Sequence, residues 1–487
     1  MKITPLCIEN LSKIDLKNGL LKPEDEVFGY PEKIISFGTG VLLKGLPYYF
    51  VNKANNQGIF KGRILAVKST PGTAEIESLA NQDFLYSLQS SGIQNNEEVI
   101  ETNIMAPISR ILHAETHWDE ILKAAHSVDL QVIISNTTEI GLNFPAINDI
   151  ENFPPQSFPG KLLMFLQERF KAFNGSNESG LVIIPTELVV NNGEVLKEVI
   201  LKLAAENSLS ATFIDWLQNS NQFCNSLVDR IVTGKPDAAK FEKFEADFGF
   251  KDANLISSET YRLWAIQGDE SIQGKLSFSK ADEGCVIAQN IDQFRELKLR
   301  LLNGSHSLMV GFSFLKGIKT VKESLDNEAV ENFMNSFIFG EIIPSLSIDE
   351  SISRPYAMDV LDRFRNPNIE HKLLGITVQY STKIKARVVP IILNYYKKFD
   401  QIPHNLTIGF AYFLKFMKVA KVENDQYFGF ANDEYYPIQD LNAKLFADLS
   451  LHKSDEEYVH SILKNNDLWG ADLQGMEGIE EQILSNF

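Results

Sequence analysis

Cysteine is scarce: Cys7, Cys224 and Cys285 are the only three in 487 residues, and no CxxC pair occurs. That excludes a disulfide framework and a thiolate zinc site, and it points to a reducing, cytoplasmic setting. Positive charge is also short, since 46 Lys and Arg against 64 Asp and Glu leave a net charge of −18. Nucleic acid and anionic membrane surfaces demand a basic face, so neither is an expected partner, although a local basic pocket for a small anion remains compatible with the balance. Long apolar runs are missing too. The greasiest, residues 388–396, contains Pro390 and falls far short of the roughly 20 residues needed to span a bilayer. The N-terminal stretch MKITPLCIEN has one basic residue and no apolar core, so it lacks leader character. The eight histidines include no HExxH pair, and His113, His117 and His126 read as surface or core residues, so no metal site is expected.

What is present is the composition of an ordinary globular protein, 44% hydrophobic and 23% charged, in a chain long enough for two cores. Residues 33–45, KIISFGTGVLLKG, form a short apolar strand, a Gly-x-Gly turn and the start of a helix. This is the entry of a dinucleotide-binding fold, with Gly38 in the tight turn and Gly40 letting backbone approach a pyrophosphate. The third glycine of the fingerprint is replaced by Leu43, so a plain strand-to-helix turn remains the alternative. A second strand, ILAVKS at 64–69, ends in Lys68 rather than the acidic residue that grips ribose hydroxyls in NAD enzymes. The residues alone therefore leave NAD and NADP open, and Lys68 would suit a 2′-phosphate.

Further apolar strands at 130–139, the first ending in polar residues, and at 180–188 alternate with amphipathic helices, which predicts a mostly parallel α/β sheet. Ligands of such sheets collect at the carboxyl ends of strands, where Gly38, Gly40, Lys68, Ser135 and Asn136 would gather round a cofactor and residues 185–192 would follow. Beyond residue 290 strand signals fade. We place a boundary near 287, with a Rossmann-type domain over 1–287 and an all-α domain over 288–487.

The segment 294–308 opens that second domain. Its pattern predicts one helix carrying Lys298, Asn303 and His306, with Asn303 about 140° and His306 about 80° round the axis from Lys298. Leu297, Leu299, Leu301, Leu302 and Leu308 surround them, and an amine in such a setting is partly desolvated, which suits it to proton transfer. The plain alternative is a Lys298 that reaches solvent, a turn at Asn303-Gly304 and a core histidine.

The string KLRLLNGSHS at 298–307, with Asn192-Gly193, LVDRI at 227–231 and RFRNPNI at 363–369, resembles the signature of the polyol-specific long-chain dehydrogenases, the mannitol dehydrogenase family. The resemblance spans roughly residues 30 to 450. FGTGVLLKGL, ISNTTEIG, SFPGKL and IPTEL are most similar to the branch that interconverts the ketouronate tagaturonate and the aldonate altronate. It implies NAD as cofactor, an active site in a cleft between the two domains, and metal-free hydride transfer. Lys298 would be the general acid/base, Asn192 and Asn303 the donors to the developing alkoxide, and His306 a substrate-placing group. Asp229, Lys383 and Arg363 would contact a small hexuronate or aldonate, and Arg230 would join Asp229 in shaping the cleft or pair with it internally. Lys383 matches a substrate-binding position of the family best, while Arg363 and Lys372, the other candidates for the carboxylate, are better read as a solvated helix face. Fructuronate reductase and mannitol-type polyol dehydrogenase are the nearest alternatives. A nucleotide-sensing protein without chemistry is disfavoured by the joint presence of Lys298, Asn192, Asn303 and His306.

Overall fold

The computed structural model describes residues 4–487, apart from the side chain of Glu139. The first three residues, on which the reading of the N-terminus partly rests, lie outside that range. The chain divides into two compact units, one taking in everything up to Ser91 together with Val99–Ile291, the other Gly92–Glu98 together with Asp292–Phe487.

The first unit is built on six strands: β1 Glu32–Phe37, β2 Arg63–Lys68, β3 Ile108–His113, β4 Val132–Ser135, β5 Val182–Pro185 and β6 Gln222–Phe223. They lie in the order β6-β5-β4-β1-β2-β3, and every pairing is parallel. The first three run outward in one direction and the last three in the other, so the order reverses between β1 and β4. A reversal of this kind opens a crevice at the carboxyl ends of the two strands. Alternation along each strand supplies two cores. Ile34, Ile64, Ile134 and Ile184 enter one, while Ile35, Leu65, Ile133 and Ile183 enter the other. A parallel sheet covered on both faces needs such continuous apolar runs.

Helix α1 (Val41–Gly45) stops after one turn and α2 (Pro47–Asn56) begins anew, because Pro47 has no N–H to give and forces Leu46 out of helical geometry, to φ −131° and ψ −74°. Helix α3 (Phe158–Ala172) is started by Ser157, whose hydroxyl accepts from Gly160 N at 2.9 Å, with Pro159 in the first turn. Helix α4 (Asn192–Glu206) follows β5. The unit also holds most of a five-stranded mixed sheet that contains the strands Tyr86–Gln94 and Glu97–Met105.

The second unit is helical, with α5 (Ser305–Leu315), α6 (Glu350–Phe364), α7 (Tyr380–Arg387) and α8 (His404–Phe416) among its main elements. The close approach of α5 to α8 needs small residues: a Cβ on Gly311 would lie 2.9 Å from Tyr412 O, and one on Gly409 would lie 2.4 Å from Leu308 Cγ. The unit is not all-α as expected. Lys421–Glu423, Gln426–Ala431 and Glu434–Pro437 form an antiparallel meander. Its turns are Asn424-Asp425 and Asn432-Asp433, all four at positive φ. Paired left-handed residues are the mark of a two-residue hairpin, and Asn and Asp tolerate that geometry best after glycine. Among the described residues no helix is long and apolar enough to cross a membrane.

Candidate functional site

At the carboxyl ends of β1, β2 and β4 a cavity of about 820 Å³ is lined by Gly38, Gly40, Lys68, Glu75, Asn136 and Lys161, among others. Gly38 sits at φ +128°, and a Cβ there would fall 2.8 Å from Asn136 O and 3.0 Å from Leu43 Cδ1, so only glycine fits this turn. A Cβ on Gly40 would meet nothing nearer than Asn136 Oδ1 at 3.8 Å. The bare backbone at that point is thus not demanded by internal packing, and it leaves room for a phosphate group. The cradle fits a dinucleotide.

Two of the residues expected there behave differently. Ser135 is fully buried and does not line the cavity; its hydroxyl donates to Glu187 Oε2 at 3.1 Å, because the last residue of β4 points into the sheet rather than out of its end. Lys68 does line it, but as part of an ion cluster. Its Nζ donates to Thr70 Oγ1 at 2.6 Å and lies 3.6 Å from Glu75 Oε2, whose partner oxygen is 2.9 Å from Lys44 Nζ. Burial opposes ionisation of Glu75, but Lys44 and Lys68 outweigh it and hold the carboxyl below its usual range. The carboxylate beside Lys68 thus comes from the next helix, Ala74–Ala80, and not from the end of β2. Its only sequence signal was a carboxylate in the first turn after the strand. Lys161, also missed, is buried at the rim of α3 with Nζ donating to Gln156 O at 2.7 Å, and burial pushes its proton affinity down.

Asn192, for which the resemblance implied an oxyanion-donor role, is held by internal hydrogen bonds. Its Nδ2 donates to the carbonyls of Pro185, Glu187 and Ser226 at 3.0, 3.0 and 3.1 Å, and its Oδ1 accepts from Gly193 N and Ser226 N, both at 2.9 Å. A carboxamide with two N–H groups and five bonds has nothing left for an alkoxide. With Gly193, whose Cβ would come 2.4 Å from the Cys224 backbone, it ties the start of α4 to the next strand. Asp229 is buried at the end of the strand Ser226–Asp229. Arg230 is an internal tie that donates to Glu259 O, Gly45 O and Ser90 Oγ and lies 4.7 Å from the Tyr49 ring centre. Burial pushes its proton affinity down to about 10.

In the second unit the helix from Asp292 widens over Lys298–Gly304 into a π-helical segment before α5 begins. Hydrogen bonds running i→i+5 make this turn broader than an α turn, so Asn303 lies more nearly in line with Lys298 than the α-helical estimate of 140°. Both are half-buried, and the Asn303 side chain has no hydrogen-bond partner among the described residues. His306, in the first turn of α5, is 9% exposed and its Nε2 is unpartnered. Burial first, then the neighbouring His371, Arg387, Lys383 and Arg363, keep its imidazole neutral well below the ordinary histidine range. Lys383 and Arg363 therefore belong to one neighbourhood with His306, whereas Lys372 is exposed beside Glu370 at 3.6 Å. His371 and Arg387 escaped the sequence reading, although Arg387 follows Lys383 by one helical turn. No three His, Cys, Asp or Glu among the described residues are placed to hold a metal ion.

The first unit holds a dinucleotide cradle; the second holds an amine, an unpartnered carboxamide and a neutral imidazole. Residues 32–280 match the mannitol dehydrogenase Rossmann domain and residues 290–487 the mannitol dehydrogenase C-terminal domain. Altronate oxidoreductase of Halalkalibacterium halodurans is 34% identical over 94% of this chain and 90% of its own length; that of an Escherichia coli strain is 34% identical over 94% of each. Among solved structures, Pseudomonas fluorescens mannitol 2-dehydrogenase, in a ternary complex with NAD and D-mannitol, superposes with a TM-score of 0.68 at 21% identity, covering 99% of this chain and 96% of its own. A D-sorbitol dehydrogenase superposes at 0.77 with 18% identity, covering 98% and 100%. With both of its domains matched and relatives at this identity over nearly its whole length, the chain belongs to the mannitol dehydrogenase family.

Proposed function

We propose that the protein interconverts D-tagaturonate and D-altronate with NADH and NAD. At the coarser level the chain is a nicotinamide-dependent oxidoreductase acting on a polyol or sugar acid. The observation that carries the mechanistic reading is the placing of Lys298 and the unpartnered Asn303 on one π-helical segment. Reduction of a ketone needs a proton for the oxygen and a fixed donor for the charge that gathers there first. Lys298 gives that proton in reduction and takes it back in oxidation, while Asn303 Nδ2 donates to the same oxygen. His306, held neutral, hydrogen-bonds a substrate hydroxyl instead of exchanging protons. A nicotinamide, when bound, supplies or accepts the hydride.

The relatives' name, altronate oxidoreductase, supports the substrate. The choice of NAD over NADP is supported by Glu75, which neutralises Lys68 and would repel a 2′-phosphate. The test is to follow NADH absorbance with tagaturonate, fructuronate and fructose in turn, and then NADPH with the best of them. Tagaturonate is expected to be turned over fastest and with NADH; turnover of fructose without tagaturonate would overturn the reading.

A further inference from the structure

Helix α7 carries Lys383 and Arg387 four residues apart, on one face. Arg387 Nη1 donates to Ser307 Oγ at 2.9 Å, beside His306, and Lys383 Nζ donates to the Ile376 carbonyl at 2.8 Å. The His306 ring lies 5.2 Å from Phe364, stacked at 26°, and 4.8 Å from the ring of His371. His306 Nε2 is buried with no partner, and His371 stands exposed at the edge of the group. Among the described residues no carboxylate pairs with His306, His371, Lys383 or Arg387. That gap is notable in a chain with 64 acidic side chains against 46 basic ones. The cations instead act on one another. Burial and then Arg387 lower the proton affinity of Lys383, and burial and then Lys383 lower that of His371. Crowded like charges without a counter-ion are costly, and an anion seated among them relieves the repulsion.

We infer that His371, Lys383 and Arg387, gathered round the unpartnered Nε2 of His306, form the subsite for the carboxylate of a sugar-acid substrate, with His371 and Arg387 as the residues that separate sugar acids from neutral polyols. The inference deepens the reading above and rests on it for the substrate class. Arg387 offers a planar fork to a carboxylate, Lys383 a point charge, and His371 a donor that gains its proton when an anion arrives.

The test uses the full chain and two probes of equal length, D-gluconate and D-glucitol, which differ in a carboxylate against a hydroxymethyl group. By calorimetry, gluconate is expected to bind about tenfold or more tightly than glucitol, with that preference falling as salt rises. His371→Gln and Arg387→Gln are each expected to erase most of the preference, and Arg387→Lys to restore part of it. Because Arg387 also holds Ser307, the exposed His371→Gln variant decides the matter if Arg387→Gln fails to fold. Equal binding of the two probes by the wild type overturns the subsite, as does an unchanged preference in His371→Gln. A selective gluconate site in a protein that does not turn over tagaturonate sinks the proposed function and leaves the subsite standing. Turnover of tagaturonate with an unchanged KM in both variants does the reverse.

Discussion

Lys298 and Asn303 are the first and sixth residues of one π-helical segment, which sets the amine and the unpartnered carboxamide more nearly in line along the helix than α-helical winding would. A π segment inside an α-helix is an irregular element, and such elements recur where function needs side chains at a spacing that 3.6 residues per turn does not offer.

The first consequence concerns the proton. Lys298→Ala is expected to lower turnover by about 10² to 10⁴-fold, the usual worth of a positioned acid/base. Binding of NADH, followed by its fluorescence, should be unchanged, since the Gly38 cradle draws on other residues. Turnover close to wild type would remove Lys298 from the mechanism.

The two asparagines should part company. Asn303→Ala removes a donor with no internal bond, so kcat is expected to fall about 10² to 10³-fold with the melting temperature unmoved. Asn192→Ala breaks five internal hydrogen bonds, so it is expected to cost about 2–4 kcal/mol in urea unfolding, with kcat per folded molecule retained. A stable Asn192→Ala protein with collapsed kcat would reverse the two assignments.

The proposed preference for NAD rests on the charge of Glu75. In Glu75→Gln the carboxylate that pairs Lys44 and Lys68 is gone, and both ammonium groups become available to a 2′-phosphate. The ratio of kcat/KM for NADPH over NADH is expected to rise about tenfold, as one charge-assisted hydrogen bond allows. An unmoved ratio would show that another group makes the discrimination.

His306 makes stability depend on pH in a definite direction. The folded protein keeps its imidazole neutral well below the ordinary value of 6.5, while the unfolded chain takes up the proton near that value. The unfolded state thus binds more protons below about pH 6.5, and stability present above that point is lost as pH falls toward the folded pKa, by up to about 1.4 kcal/mol per pH unit. His371 contributes in the same direction. Denaturant unfolding at about pH 7 and pH 5 should show a shallower acid loss in His306→Gln than in the wild type. Parallel losses in both proteins would assign the acid sensitivity elsewhere.

The local features of this protein were legible in its residues. Apolar runs at 34–37, 64–67 and 132–135 dictated strands buried on both faces, because a parallel sheet leaves no face wet. Gly38 marked a turn that no side chain can enter, and Lys298, Asn303 and His306 are of the types that the proposed proton transfer and neutral donors call for. Folding decided what each of these groups is free to do. The distant carbonyls of Pro185, Glu187 and Ser226 consume the amide of Asn192, and Glu187 takes the hydroxyl of Ser135. Glu75 comes from a later helix to neutralise Lys68, and α7 and the segment at His371 bring cations to His306 from far along the chain. Strand patterns and turns follow from sterics and burial among near neighbours, which the order of residues contains. Hydrogen-bond saturation and electrostatic environment depend on which remote segments meet, and only the tertiary structure determines that.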